Sequence, residues 1–342
     1  MYYENLNKDL KEYFSVLEPD FPKWLNEYIN TKRLLCQQYI SVACGTNYSK
    51  LFEKSSFFST LDHSIAVALI VWHFTHDKIQ TLAGLFHDIA TPVFKHCVDF
   101  LNGDYMTQES TEDLTTAIIE NSDDIMALLK RDKIQVEQVD NYHMYPIADN
   151  DTPRLSADRL EYSLSNALIV YKLLNLEDII EIYNDIEIQK NEQGLPELGF
   201  KTKKIARKFV KITSKLSIIY REDRTRYSMQ FLADILKKLS DEGTIEKKDL
   251  YELKESDIID IIENSKYNKI FEIWKNASKV KISKEEPENV YFVHHGAKIR
   301  YIDPMVNGEK ISKCCKIANK MIQDNLSYDM NNYVYLDFNF DE

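Results

Sequence analysis

Leu85-Phe86-His87-Asp88-Ile89 sets a histidine beside an aspartate at the end of an apolar run, Thr81-Leu82-Ala83-Gly84-Leu85-Phe86. Burying either group alone is costly, and a buried charge needs a partner or a metal. One divalent ion supplies that partner for both. His63 upstream and Asp158 downstream complete a candidate set of two nitrogens and two oxygens. Neutral imidazole and carboxylate are the usual ligands of Zn, Mn or Fe(II). On a helix the doublet points its side chains about 100° apart, so only an ion over the helix edge is gripped by both.

The flanking sequence predicts helices. Phe57 to His63 enters one that runs to about Thr75, with Ile65, Ala66, Leu69, Ile70 and Trp72 on its apolar face. A second spans about 78–90 and stops before Thr91-Pro92, because the residue before proline disfavours helix. His87 and Asp88 then fall in its last turns. Upstream, residues 5–40 read as two helices, with Pro22 near the start of the second. Downstream, Phe94 to Leu101 reads as a short helix, and 107–131 as two more, the first about 108–121. Residues 132–150 are irregular, with Tyr142-His143-Met144-Tyr145-Pro146 as an aromatic loop. Asp151-Thr152-Pro153 reads as a cap and first turn for the helix carrying Asp158, whose positive end favours an ionised carboxylate.

Residues 160–275 read as helical, interrupted by basic stretches at Lys201 to Lys208 and Tyr220 to Tyr227. Leu250 to Ile262 reads as one acidic amphipathic helix. Beyond Pro287 the texture turns β-rich. Tyr291-Phe292-Val293 and Lys298-Ile299-Arg300-Tyr301-Ile302 read as a hairpin joined by His294-His295-Gly296-Ala297. A helix at about 310–325 and a strand at about 333–339 follow. The expected fold is mainly α, divided as N-terminal helices 1–50, a helical core 51–280 and a small α+β appendage 281–342.

Composition bounds the function. The chain has 342 residues, 44% hydrophobic, enough to bury a large core, and a net charge of −12 that argues against binding nucleic acid through a basic surface. Five cysteines without a CxxC pair make neither a disulfide framework nor a zinc knuckle and suit a reducing cytosol. The acidic Met1-Tyr2-Tyr3-Glu4 start lacks the pattern of a signal peptide. No run of about 18 apolar residues predicts a membrane span. A cytoplasmic protein is expected.

The order His63, His87-Asp88, Asp158 resembles the HD-domain metal-dependent phosphohydrolases. Residues from about 55 to 265 look like the branch that includes the bacterial dGTP triphosphohydrolases. There the first ligand stands in Arg-x-x-His-Ser; here Thr60-Leu61-Asp62-His63-Ser64 stands instead. The family's His-Asp-Ile-Gly-His-x-Pro-Phe-Ser-His is matched by His87-Asp88-Ile89-Ala90-Thr91-Pro92-Val93-Phe94-Lys95-His96. Its Asp-x-x-x-Tyr is matched by Asp158-Arg159-Leu160-Glu161-Tyr162. The resemblance implies an HD-domain core, metal ligation by His63, His87, Asp88 and Asp158, and one divalent ion (Mn, Fe, Zn, Ni or Mg). It implies catalytic roles for Asp88, His96 and Asp99, and substrate contact by Arg159, Tyr162, Arg221, Arg224 and Arg226. Thr91 and Gln108, just before Glu109, replace two histidines that help catalysis in the family, and Thr60 replaces its phosphate-side arginine.

The expected function is divalent-metal-dependent hydrolysis of a nucleotide or related phosphoester. The alternative is a non-catalytic nucleotide-binding or regulatory HD protein, motivated by Thr91 and Gln108. A nucleic-acid binder using 201–226 is a third reading, opposed by the acidic total. Acidic helices and aromatic C-terminal strands suggest a homo-oligomer.

Overall fold

Ser59 starts the central helix. Its hydroxyl accepts from the Asp62 amide at 3.0 Å, and the Asp62 carboxylate accepts from the Ser59 amide at 3.2 Å. This reciprocal cap fixes the helix Thr60–Thr75, which is buried on every side from Thr60 to Val71. The helices Lys8–Leu17, Lys78–Phe86 and Ala157–Ser165 pack around it. Gly84 lets one of them come close: a β-carbon there would lie 3.3 Å from Val71 and 3.4 Å from Val67. The computed structural model describes residues 1–52, 55–106 and 114–340, so Gln108 and Glu109 lie outside the described residues.

The fold is mainly helical, as expected, but several boundaries differ. Residues 5–40 hold three α-helices, Lys8–Leu17, Leu25–Ile29 and Lys32–Cys36. The Lys78–Phe86 helix stops one residue before His87, so the doublet stands in the turn beyond it. Ser156, not Asp151, caps Ala157–Ser165, its hydroxyl accepting from the Arg159 amide at 3.2 Å; Asp158 is therefore in the first turn. Leu250 to Ile262 is two short helices, Asp249–Glu252 and Glu255–Glu263.

The 160–275 region also contains strands. β1 (Ile186–Lys190) and β2 (Pro196–Phe200) form an antiparallel hairpin that turns through Gly194 at φ +77°. A second sheet gathers β3 (Lys281–Ser283) and β4 (Phe292–Val293) on either side of β7 (Tyr333–Tyr335). β5 (Met305–Val306) and β6 (Glu309–Lys310) extend the first sheet beside β2. The expected hairpin at 291–302 does not form. β4 takes β7 as its partner, and residues 298–302 run as irregular chain. The helices Ile311–Cys314 and Lys316–Leu326 stand near the expected 310–325.

Two apolar cores hold these elements. One joins Phe14, Tyr28, Leu69, Phe86, Leu164 and Phe209 to Ile302, Val306 and Ile322. The other joins Phe52, Phe94, Phe100, Phe231 and Trp274 to Val293, Val334 and Phe338. Each draws on residues from both sides of the expected boundaries at 50 and 280. Among the described residues no helix is long and apolar enough to cross a membrane.

Candidate metal centre

His63, at the start of the central helix, and His87, just beyond its neighbour, turn their Nε2 atoms toward one another at 3.1 Å. Both rings are fixed from behind. The Nδ1 of His63 bonds Glu161, a fully buried carboxylate that also accepts from Tyr13 at 3.0 Å and Ser165 at 3.2 Å. The Nδ1 of His87 donates to the Gly84 carbonyl at 2.7 Å. These contacts favour the tautomer with the proton at Nδ1, in which a neutral ring presents a bare lone pair at Nε2. Asp88 Oδ2 lies 3.8 and 3.7 Å from the two Nε2 atoms. Asp158 Oδ1 lies 3.2 and 3.8 Å from them.

Four electron-rich atoms thus converge with too little positive charge between them. The pKa shifts express the same imbalance. Burial disfavours charge on His63, yet Glu161 and Asp158 push its pKa up to about 10. Asp88 is held well below the usual carboxylate range, against its burial, by Lys95 and the two imidazoles. Asp158 is likewise lowered, against burial, chiefly by its contact with His63. His63, His87 and Asp88 can hold a metal ion. The spacings suit neighbouring ligands around one ion at bond lengths of about 2.1 Å. The carboxylate behind His63 is the usual outer partner of a ligating histidine.

The centre opens into a cavity of about 250 Å³ whose walls explain several sequence expectations and correct others. His96, Arg159 and Tyr162 line it. Asp99 lies behind the wall, fully buried, and accepts from His96 Nδ1 at 2.9 Å. His96 Nε2 faces Arg300 at 3.4 Å. Burial lowers the His96 pKa; Asp99 opposes this and Arg300 adds to it. His96 is thus a neutral acceptor that holds Arg300. Arg159 bonds Asn150 at 2.9 Å and pairs with Asp149 at 3.0 Å.

Arg221, Arg224 and Arg226 do not line this cavity. Arg221 is fully buried against Asn325, bonding its side-chain oxygen at 2.6 Å. Arg226 is fully buried against Asp223 and the His295 carbonyl. Arg224 bonds Glu222 and the Leu51 carbonyl, each at 2.6 Å. Their donors tie the C-terminal segment and helix ends to the body. The cavity's cations are instead Lys95, Arg159, Lys298 and Arg300.

Three of the new participants sat within quoted stretches. Lys95 precedes His96 and donates to Asp88 Oδ2 at 2.6 Å, while Thr91 donates to Asp88 Oδ1 at 2.9 Å. Glu161 stands three residues after Asp158, a spacing that puts both on one side of a helix. His143 sat in the aromatic loop. Arg300, 204 residues from its partner His96, gave no local signal.

No family model matches the chain. An uncharacterized protein of Bacillus subtilis (strain 168), YdhJ, is 24% identical over 246 residues, covering 72% of this chain and 73% of that protein. MG461 of Mycoplasma genitalium, also described as uncharacterized, is 27% identical over 207 residues, covering 53% of this chain and 47% of that relative.

Proposed function

We propose that the chain is a divalent-metal-dependent phosphohydrolase of the HD type that acts on a nucleotide or a related phosphoester. The observation that carries this reading is the convergence of His63 Nε2, His87 Nε2 and Asp88 Oδ2, with Asp158 Oδ1 within 3.8 Å of both imidazoles and both rings fixed from behind. A divalent ion bound there would acidify a water and draw charge from a phosphoryl oxygen. His63, His87, Asp88 and Asp158 would hold it.

The rest of the wall suits the same substrate. Arg159 and Arg300 supply guanidinium groups, whose paired donors fit two phosphate oxygens and whose charge persists at any working pH. Lys95 and Lys298 add ammonium groups. Tyr142, Tyr162, Tyr171, Tyr220 and Tyr301 line the same space, offering ring faces to a base and hydroxyls to a sugar. Burial raises the Tyr162 pKa, so that hydroxyl stays a donor.

One observation favours the regulatory alternative. Thr91, where the resembled family has a histidine, spends its hydroxyl on Asp88 Oδ1 and offers no proton-transfer group. Turnover separates the two readings. The purified protein, supplied with Mn(II) or Fe(II), is expected to release product from at least one member of a panel of nucleotides and simple phosphoesters. The Asp88→Ala variant is expected to lose that release. Binding of nucleotide without release above the Asp88→Ala background would support the regulatory reading instead.

A further inference from the structure

His143 stands at the mouth of the cavity on a short turn, Tyr142–Met144. The turn is fixed by Asn141, whose side-chain oxygen accepts from the His143 amide at 3.1 Å. The Tyr142 ring lies 5.0 Å from the His87 ring and 4.4 Å from the His143 ring, so the turn is seated against the metal centre. Behind His143 lies a buried carboxylate, Asp149, accepting from Nδ1 at 2.7 Å. The other oxygen of Asp149 accepts from Ser156 at 3.2 Å and pairs with Arg159 at 3.0 Å. One buried carboxylate therefore joins a histidine at the cavity mouth to an arginine in its wall. Asp149, Arg159 and Tyr142 are the charged or titratable groups these contacts set around His143.

A histidine held at Nδ1 by a carboxylate exchanges its proton at Nε2, and the carboxylate stabilises the charged ring. Apart from His63, two of the histidines that line the cavity are held in this way. In His96–Asp99, Arg300 faces Nε2 and the ring is neutral, which suits it to hold the arginine. In His143–Asp149, the side chain lines the cavity and is 51% exposed, within reach of a substrate that enters there. Thr91 leaves proton donation unfilled at its own position.

Resting on the phosphohydrolase reading, we infer that His143 is a further catalytic residue, the proton donor to the leaving oxygen, with Asp149 as its positioning residue. A water oxygen bonds to phosphorus. The bridging P–O bond breaks with its electron pair on the leaving oxygen. That oxygen takes the proton from Nε2 of the His143 imidazolium. The proton lost by the attacking water returns through solvent and restores His143. Asp149 keeps the ring oriented and ties its position to the arginine that grips the phosphate.

The test compares two probes that differ in their need for a proton: the phenyl and p-nitrophenyl esters of thymidine 5′-monophosphate, with Mn(II). Nitrophenolate leaves without protonation; phenolate leaves poorly. His143→Ala should lower kcat for the phenyl ester about 100-fold and for the nitrophenyl ester less than about fivefold, with KM little changed. Added imidazole should restore part of the phenyl-ester rate. Asp149→Asn should show the same leaving-group bias in smaller measure. Because His143 is exposed, its alanine variant should keep the parent's melting temperature and metal content; His143→Gln serves as the conservative control. Equal losses on both esters, or no loss on the phenyl ester, would overturn the assignment while the phosphohydrolase reading stands. A parent that cleaves neither ester above the Asp88→Ala background would overturn both.

Discussion

At the scale of single residues, the centre depends on groups that never face the cavity. Glu161 sets the His63 tautomer from inside the core, and outer partners of this kind typically change metal affinity by about 10- to 100-fold. Glu161→Gln should weaken Mn(II) binding by that factor, read by titrating metal-stripped protein; unchanged affinity would place no weight on this contact. Lys95 neutralises Asp88 at 2.6 Å, a charge-assisted bond whose loss should cost the metal-free protein about 1–3 kcal/mol. A bound ion would replace that charge. The melting temperature of Lys95→Met should therefore rise more on adding Mn(II) than that of the parent; an equal rise would show that the lysine and the ion do not share Asp88.

Glu255 makes a pH prediction away from the site. Burial raises its pKa from 4.5 to about 8, although the Ser41 amide donates to Oε2 at 2.9 Å. Its folded-state pKa exceeds its unfolded one, so the folded chain binds the extra proton. The stability this contributes is present below about pH 4.5 and is lost as pH rises toward 8. Glu255→Gln should remove that slope, a difference on the order of a few kcal/mol across the window, measured by urea unfolding at several pH values. Parallel pH profiles would contradict it. Much of the candidate site at this scale is legible in the sequence, since His63, His87-Asp88 and Asp158 stand in recognisable local settings. Charge runs are not so legible: Arg221 and Arg226 resemble a solvated or phosphate-facing stretch, and only packing reveals that both are fully buried, bonded to Asn325 and Asp223.

At the scale of elements, the loop joining the doublet to His96 is held in a conformation that ordinary residues avoid. Phe94 and Lys95 both have positive φ, +62° and +43°. Such backbone costs about 1–3 kcal/mol per residue and persists only where the surroundings impose it. Gly45 is part of those surroundings. Its φ is +73°, and a β-carbon on it would lie 2.5 Å from the buried Phe94 ring. Gly45→Ala should destabilise the protein by about 2–5 kcal/mol and displace Lys95 from Asp88, lowering metal affinity. A variant with the parent's melting temperature and affinity would show that the ring yields freely. The Thr60–Thr75 helix could be read in advance because its cap and apolar run are local. The β1–β2 hairpin was legible in principle, through alternating Ile186 and Ile188 and the turn glycine, but helix-rich surroundings hid it. The 298–302 segment was not legible: its residues favour strand, and its place in the cavity wall is set by β4 pairing with a partner about 40 residues on.

At the scale of the whole molecule, one apolar core runs from the N-terminal helices, and the other from Cys44, to the C-terminal segment. The cavity does likewise, taking residues from Val42 to Tyr301. A chain ending at residue 280 would lose Ile302, Val306 and Ile322 from one core and Val293, Val334 and Phe338 from the other. It should unfold without a cooperative transition in a thermal melt; a sharp transition would mark the C-terminal part as dispensable. The proposed metal ligands come from three distant stretches of chain, so an ion there would stabilise the arrangement of helices as well as polarise a substrate. The most direct measurement is calorimetric titration of the metal-stripped protein with Mn(II). One saturable site per chain, lost in Asp88→Ala while that variant stays folded, is the predicted result. No saturable site, or an unchanged site in folded Asp88→Ala, would contradict the account.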